Sequence, residues 1–288
     1  MNKLALTLSA LVLATAAAGA AQARVIPDDK DIPRQLSFGG ACRNCDLSGK
    51  KLVNARFQGA DFGGATLIRA DMRGASFIGS NFQAAHLSDS DLRGAEMMGT
   101  NFSFADFSGA ELDGVEAAAA IFQKANLTRA SFKGAEMPAA NFAFANLNNA
   151  SFRGAEMPHA QLTKVTAVGT DFRQAELEGA NLISGRFDGA SFRGADLSRA
   201  HLTRATFAGA DFRGADLENA YLGGADLSRA KGLTQDQVDE ACSDHGTKLP
   251  RGLVPRVCKG HRLIIVQKAP RTPPVAPAPP VSPRPPRN

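Results

Sequence analysis

The chain has 288 residues, which is enough for one or two domains with a sizeable hydrophobic core. Its composition is skewed, with 18 Phe and 28 Gly but one Tyr and no Trp, and such bias is typical of a chain built by internal repetition. Residues 46–230 hold 18 basic and 21 acidic side chains, and a net charge of −3 excludes a strongly acidic or basic middle section that binds by charge alone.

The first 23 residues are predicted to be an export signal. Lys3 gives a positively charged start, residues 4–20 are almost entirely apolar, and Ala21-Gln22-Ala23 forms an A-x-A cleavage site. The alternative, a transmembrane anchor, is disfavoured because the apolar run is short and ends in small residues. We therefore expect cleavage after Ala23, a mature chain without a transmembrane segment, and a periplasmic or secreted location.

A period of five residues dominates the middle of the chain. From Leu47 to Leu227 every fifth residue is Leu, Phe or Met, except Ala117 and Ala167, and the residue two places earlier is usually Ala. On a helix or a flat strand this spacing would scatter the large side chains over different faces. They share one interior only if the chain turns a corner in every repeat.

A second echo, at 20 residues, sets the number of repeats in each coil. The tripeptides Arg-Gly-Ala and Lys-Gly-Ala begin at residues 73, 93, 133, 153, 193 and 213, always 20 or 40 positions apart. Four repeats per coil predict a square cross-section. At 20 residues per coil, residues 47–227 make about nine coils. Parallel pairing of stacked coils at about 4.8 Å then predicts a rod about 45 Å long.

The repeat A-(D/N/S/E)-(L/F)-x-x, seen for instance at residues 195–199, resembles the pentapeptide-repeat family. The resemblance covers about two-thirds of the chain and implies an all-β solenoid, a right-handed quadrilateral β-helix. The family has no single activity. Its best-understood members imitate DNA and bind type II topoisomerases in the cytoplasm, which requires a strongly acidic rod and does not fit an exported chain of this charge.

Stacking at 20 residues also places charged side chains in columns on the surface. A basic column is interrupted by Asp113, and an acidic column runs beside it, three residues further along the chain. The basic column comprises Arg73, Arg93, Lys133, Arg153, Arg173, Arg193 and Arg213, and the acidic column comprises Glu96, Glu116, Glu136, Glu156, Glu176, Asp196 and Asp216. We expect the two columns to pair with each other, and such exposed pairs contribute little to stability.

An outward-facing apolar column is predicted to be a partner-binding surface, because contiguous exposed apolar side chains often mark an interaction site. The alternatives are that another part of the chain covers it or that it is tolerated in solvent. The candidate partner-binding residues are Ile78, Met98, Pro138 and Pro158 in this column, and Phe104 and Phe144 in a nearby column with Lys124 between them.

The two ends of the solenoid need caps, because open coils invite edge pairing with other chains. After the last repeat, Thr234 and Gln237 form a capping-box pattern, which predicts a short helix over residues 235–242.

The four cysteines are predicted to form disulfides within the terminal caps, because an exported protein meets an oxidising compartment. They are Cys42, Cys45, Cys242 and Cys258. A four-cysteine zinc site would need both pairs together, whereas they lie at opposite ends of a rod about 45 Å long. A CxxC redox site is a further alternative, although the βαβ context that usually carries one is missing.

The sequence therefore divides into five segments. From His245 onward there are nine basic residues and no acidic residue, and the Pro-rich end is expected to be extended and disordered. The segments are 1–23, the signal peptide; 24–41, an irregular leader; 42–230, the pentapeptide-repeat β-helix; 231–260, a C-terminal cap with a short helix and a disulfide; and 261–288, the basic Pro-rich tail.

No constellation of reactive groups is apparent in the sequence. His86, His159 and His201 occupy outward positions without a spacing typical of metal ligands or of a nucleophile and its base. We predict a non-enzymatic interaction protein without metal or cofactor that presents a rigid surface to an unidentified protein or envelope component, with no nucleic-acid partner, and oligomerisation is compatible with this role. The alternatives are a DNA-mimic binder of a type II topoisomerase and a CxxC-dependent redox protein.

Overall fold

A computed structural model describes residues 40–258, which follow a right-handed quadrilateral β-helix. Each coil has 20 residues, because a parallel bridge joins the middle of each side to the residue 20 positions further along. Asn81, for example, pairs with Asn101 and Asn101 with Ile121. The bridges begin at Ala41 and the repeats end at Lys231, which gives about nine coils. The predicted fold class is confirmed.

Backbone hydrogen bonds hold each side of a coil to the coils before and after it. At Phe62, the backbone N–H donates to Asn81 O at 2.7 Å, and the Asn81 N–H donates to Ala60 O at 2.9 Å. The chain then turns a corner, where the Ala65 N–H donates to Phe62 O at 2.9 Å. Within the described residues every bridge between coils is one residue long, because a corner follows each one.

The third residue of each corner turn from Asn44 to Gly224 has a positive φ, between 52° at Asn44 and 74° at Gly209. Gly adopts this conformation without strain, and Asn tolerates it, whereas residues branched at Cβ are strongly disfavoured there. Gly fills many of these positions, and none of the others is Val, Ile or Thr. Turn geometry therefore explains the glycine-rich composition.

The large side chain of every repeat is buried, so the interior of the solenoid is filled along its whole length. Phenylalanine rings stack from coil to coil, in the longest columns on two opposite sides: the ring centroids of Phe122 and Phe142 are 4.9 Å apart, as are those of Phe132 and Phe152. The two stacks meet in the middle of the solenoid, where Phe142 and Phe152 are edge to face at 5.7 Å. Such aromatic contacts add to the stabilisation that burial provides.

A disulfide closes the N-terminal coil. Cys42 takes the large position of its repeat and Cys45 the small position of the next, and the two are joined with their Cα atoms 5.3 Å apart. The CxxC spacing spans one corner turn, in which the Cys45 N–H donates to Cys42 O. This cysteine pair is therefore part of the core of the first coil.

A short helix, α1 (Gln235–Glu240), caps the last coil. The predicted capping box is present: Thr234 Oγ1 accepts a hydrogen bond from the Gln237 N–H, and Gln237 Oε1 accepts one from the Thr234 N–H at 2.9 Å. The helix ends two residues earlier than predicted, because Cys242 forms a parallel bridge with Tyr221.

The described residues up to Val257 form one compact unit, and Cys258 belongs to a second unit, of which the structure describes that residue alone. The predicted signal peptide, the leader up to residue 39 and the Pro-rich tail lie outside the described residues. Between residues 40 and 258, no helix has the length and apolar character that crossing a membrane requires.

Candidate interaction surfaces

The predicted apolar column forms one corner of the solenoid, which we call the apolar corner: Ile78, Met98, Ala118, Pro138 and Pro158. Met98 is 38% exposed and Pro138 is also exposed, whereas Ile78 and Pro158 are half-buried. Each follows a large buried residue and is the second residue of a corner turn. The turn therefore points these side chains outward, as the five-residue period predicts.

The next corner along the chain, the aromatic corner, stacks Phe104, Lys124, Phe144 and Lys164. Phe104 is 51% exposed and Phe144 is 48% exposed. The Lys124 Nζ atom lies 5.0 Å from the ring centroid of Phe104, and the Lys164 Nζ atom lies 5.4 Å from that of Phe144, which are cation–π distances. Both phenylalanines have positive φ, 62° and 63°. The turn imposes this conformation at every corner, so these two positions are distinguished by their exposed aromatic rings, which are typical of an interaction site.

The side between these two corners carries no carboxylate over about five coils, so we call it the acid-free face. Its outward positions between residues 78 and 164 hold small, apolar and amide side chains, with Lys124, Lys164 and His159 as the only basic groups. The middle column consists of Asn81, Asn101, Ile121, Asn141 and Gln161.

Two amides of this middle column present their amino groups outward. The Asn101 Oδ1 atom accepts a hydrogen bond from the Ser103 N–H, and the Asn141 Oδ1 atom accepts one from the Ala143 N–H, both at 3.0 Å. Within residues 40–258 the two Nδ2 groups donate to no acceptor. The oxygen of each amide thus accepts a hydrogen bond within the corner turn, and its amino group remains as a hydrogen-bond donor on the surface.

The predicted pairing of the basic column with the acidic column is wrong. Arg93 binds Asp91 with its Nη2 at 2.6 Å from Oδ2, and its Nε lies 3.1 Å from Glu111 Oε2. Arg73 contacts Asp71 at 2.8 Å and Asp91 at 3.5 Å. The basic column lies at a corner, and the guanidinium groups fold back onto the side that precedes it, where a bidentate geometry is within reach.

These arginines lower the pKa of the carboxyl groups that they contact. The hydrogen bonds from Arg93 hold the pKa of Asp91 below its usual value, and Arg73 and Arg213 lower the pKa of Asp71 and Asp211 in the same way.

The acidic column therefore stays without a cationic partner. Among the described residues, none of its members forms an ion pair, and parallel bridges join each to the next, as Glu116 to Glu136 and Glu136 to Glu156. Stacking at the coil spacing of about 4.8 Å brings like charges close together, which is unfavourable. We call this side the acidic face; it lies between the basic column and the apolar corner and comprises Glu96, Glu116, Glu136, Glu156, Glu176, Asp196 and Asp216.

The structure assigns all four cysteines to disulfides, and no described cysteine is free. Cys42 is 3% exposed and Cys45 is 4% exposed, so a redox partner could not reach the sulfur atoms of the CxxC pair without opening the first coil. Within residues 40–258, no group of His, Cys, Asp and Glu is arranged to hold a metal ion.

Sequence reasoning found the apolar and aromatic corners but missed the acid-free face that joins them. Its middle column could have been found by reading the positions three residues after the apolar corner at intervals of 20. The orientation of the Asn101 and Asn141 amides has no sequence signal of that kind, because it depends on the hydrogen bonds of each turn.

Comparison with known proteins identifies the repeat. The sequence model of pentapeptide repeats matches in eight copies, over residues 41–74, 75–114, 110–142, 139–174, 155–194 and 195–231. These matches cover more than half of the chain. The chain belongs to the pentapeptide-repeat family. No curated protein sequence matches this pentapeptide-repeat protein significantly.

Solved structures of other pentapeptide-repeat proteins share the fold. One is HetL from the cyanobacterium Nostoc, a protein involved in regulating heterocyst differentiation, with 28% identity over 72% of this chain and 93% of HetL at a TM-score of 0.64. Another is QnrB1, a plasmid-mediated fluoroquinolone resistance protein, with 22% identity over 68% of this chain and 92% of QnrB1 at a TM-score of 0.42.

Proposed function

We propose that this pentapeptide-repeat protein is an exported, non-catalytic interaction protein that binds a partner through its acid-free face. The observation that carries the proposal is the pair of half-exposed rings of Phe104 and Phe144 beside a side without carboxylates. Aromatic side chains that become buried in an interface contribute strongly to binding free energy, whereas the exposed half of each ring adds little to folding.

The β-helix suits this role because it presents the surface in a fixed conformation. The hydrogen-bonded turns that hold Phe104 and Phe144 repeat in every coil, so little conformational entropy is lost when a partner binds. Lys124 and Lys164 lie against the two rings and supply the charge of this corner. We therefore expect a partner surface that is apolar or carries acceptor groups.

Export and the absence of catalysis are parts of the same proposal. The A-x-A site at residues 21–23 and the disulfide-bonded cysteines support passage to an oxidising compartment. The filled interior leaves the surface as the place of function. Burial of Cys42 and Cys45 argues against a CxxC redox role, and the nearly neutral charge of the repeats argues against a DNA mimic.

The test is cross-linking of the exported protein to its own envelope fraction. In the periplasm of a bacterial host, the intact mass should show a chain that begins at Arg24. The double variant Met98→Lys/Phe104→Lys should lose the cross-linked partner while circular dichroism and thermal unfolding stay close to those of the wild type. Val53→Lys, at another exposed apolar position, is the control and should retain the partner. Equal cross-linking by all three proteins would contradict the proposal.

A further inference from the structure

We propose that the acid-free face binds the acidic face of a second copy of this chain, and that four copies close into a ring around their apolar corners. The inference rests on the proposed function, because it names the occupant of the same surface. It is carried by chemical complementarity, by a matching repeat distance and by the positions of the two faces on the solenoid.

The two faces offer complementary hydrogen-bonding groups at two levels of the solenoid, whereas Ile121 between them has no donor to offer. The acid-free face presents the Nδ2 donors of Asn101 and Asn141, which have no acceptor within the described residues. The acidic face presents seven acceptors without a cationic partner, among them Glu96 and Glu136. Donation of an amide N–H to a carboxylate is a charge-assisted hydrogen bond, stronger than one between neutral groups.

The spacing of these groups selects another solenoid as the partner. Both columns repeat once per coil, at about 4.8 Å. A second copy of the chain has the same rise per coil because it has the same fold. In parallel copies at the same height, Asn101 lies level with the partner's Glu96 and Asn141 with the partner's Glu136, within about a quarter of a coil, or roughly 1.2 Å. Register is therefore kept over several coils, which a partner without this repeat would not achieve.

The positions of the two faces determine how copies assemble. The acid-free and acidic faces are neighbouring sides of the square coil and share the apolar corner. Placing one on the other therefore relates two copies by a quarter turn about an axis parallel to the solenoid. Four such turns close a ring, whereas a contact of this kind without closure would give an open filament. Met98, Pro138 and Pro158 of each copy then meet at the central axis, away from water.

The buried area favours the ring over a pair. Five coils of about 4.8 Å and one side of five residues at about 3.3 Å each give on the order of 400 Å² per face. A stable pair needs about 800 Å² per partner. In the ring each copy uses both faces, so the area that it buries reaches this range.

The outer edge of each contact brings the aromatic corner against the partner's basic column. Phe144 lies at a height between the partner's Lys133 and Arg153, where a cation can pack on the ring. Lys164 lies between the partner's Arg153 and Arg173, which is a repulsive arrangement. Lys164→Gln should therefore strengthen the assembly severalfold, in contrast to the other substitutions on this face.

The experiment measures the molar mass of the exported full chain by size-exclusion chromatography with light scattering at tens of micromolar. We expect about four times the mass of one chain. Asn141→Asp keeps the acceptor for the Ala143 N–H but places a carboxylate opposite the partner's Glu136, so it should weaken assembly by roughly tenfold or more. Adding Glu136→Lys to the same chain should restore the tetramer, because each introduced carboxylate then faces a lysine. Asn146→Asp, the same change on a side outside the ring, should leave the tetramer intact.

Three results would overturn the ring: a monomer at these concentrations, a tetramer that is indifferent to Asn141→Asp, or a double variant that stays dissociated. Circular dichroism of each variant shows whether the β-helix is retained. The proposed function has a separate outcome. If the chain is monomeric but Met98→Lys/Phe104→Lys still loses an envelope partner, the ring is wrong and the proposed function stands. If Met98→Lys/Phe104→Lys changes neither self-association nor partner binding, both proposals fail.

Discussion

Two positions of the repeat are limited in different ways: the volume of the interior limits the small inward residue, and the backbone conformation of the turn limits the third residue of the corner. Thr100 and Thr170 show how the small inward position accepts a polar residue: their hydroxyls donate to the carbonyls of Phe77 and Leu147 in the preceding coil, both at 2.7 Å, so they are buried without loss. At the corner the constraint is φ, and Ala139 holds a positive value of 56°.

Ala139 lies in the turn and Ala140 in the interior, so substitutions at these two residues test the two constraints separately. Ala139→Gly should raise the free energy of unfolding by about 0.5–1 kcal/mol, because Gly adopts a positive φ without the strain that a Cβ imposes. Ala140→Gly should lower it by about 1–2 kcal/mol, because it removes a buried methyl group and adds backbone entropy to the unfolded chain. Urea unfolding of the two variants gives both values. A loss of stability for Ala139→Gly would show that the turn does not store this strain.

At the scale of one repeat, the pairs of aspartate and arginine at the basic column combine a turn with an ion pair. Asp91 Oδ1 accepts hydrogen bonds from the Arg93 N–H at 3.2 Å and from Arg93 Nε at 2.9 Å, while Oδ2 accepts from Nη2 at 2.6 Å. Asp91 therefore fixes the conformation of its corner and the direction of its arginine. These hydrogen bonds favour the ionised carboxyl group in the folded state.

The lowered pKa of Asp91 predicts a pH dependence of stability with a definite sign. The stabilisation is present above the pKa of the unfolded chain, near 4, and is lost as pH falls through the lower folded-state value. Between about pH 5 and about pH 2.5, the wild type should therefore lose more unfolding free energy than Asp91→Asn. Asp89→Asn removes a carboxylate that forms no ion pair within the described residues, so it controls for net charge and should follow the wild type. Parallel curves for wild type and Asp91→Asn would refute this account.

The whole solenoid depends on how its last coil ends. Gln237 in α1 donates its Nε2 to the carbonyl oxygens of Phe212 and Ala215, at 3.0 Å and 2.6 Å. These carbonyls belong to the last coil on that side, where no further repeat follows. The helix therefore protects an edge that would otherwise be open to pairing with another chain.

Removing this protection should affect both stability and association. Gln237→Leu leaves two carbonyl groups without their donor and should cost about 1–3 kcal/mol of unfolding free energy. It should also raise light scattering on prolonged incubation, because the exposed edge can pair between molecules. Asp236→Ala, at the exposed neighbouring position of the helix, should do neither. Wild-type behaviour of Gln237→Leu would show that other contacts seal the edge.

The sequence pattern was enough to predict the period, the number of coils, the capping helix and the family. The physical reason is that residues in contact along the solenoid are 20 positions apart, so vertical neighbours can be read directly from the chain. Burial at every fifth position follows from the same rule. The corners with Met98 and Phe104 were predicted correctly as outward-facing for this reason.

The contacts between neighbouring columns could be seen only in three dimensions. Arg93 reaches Asp91 and Glu111 and not the acidic column, because the turn geometry sets the direction of its side chain. The free amino groups of Asn101 and Asn141 likewise depend on which amide atom the turn occupies. Contacts along the axis follow from the repeat, whereas contacts around the coil depend on rotamers and hydrogen bonds that no spacing in the sequence records.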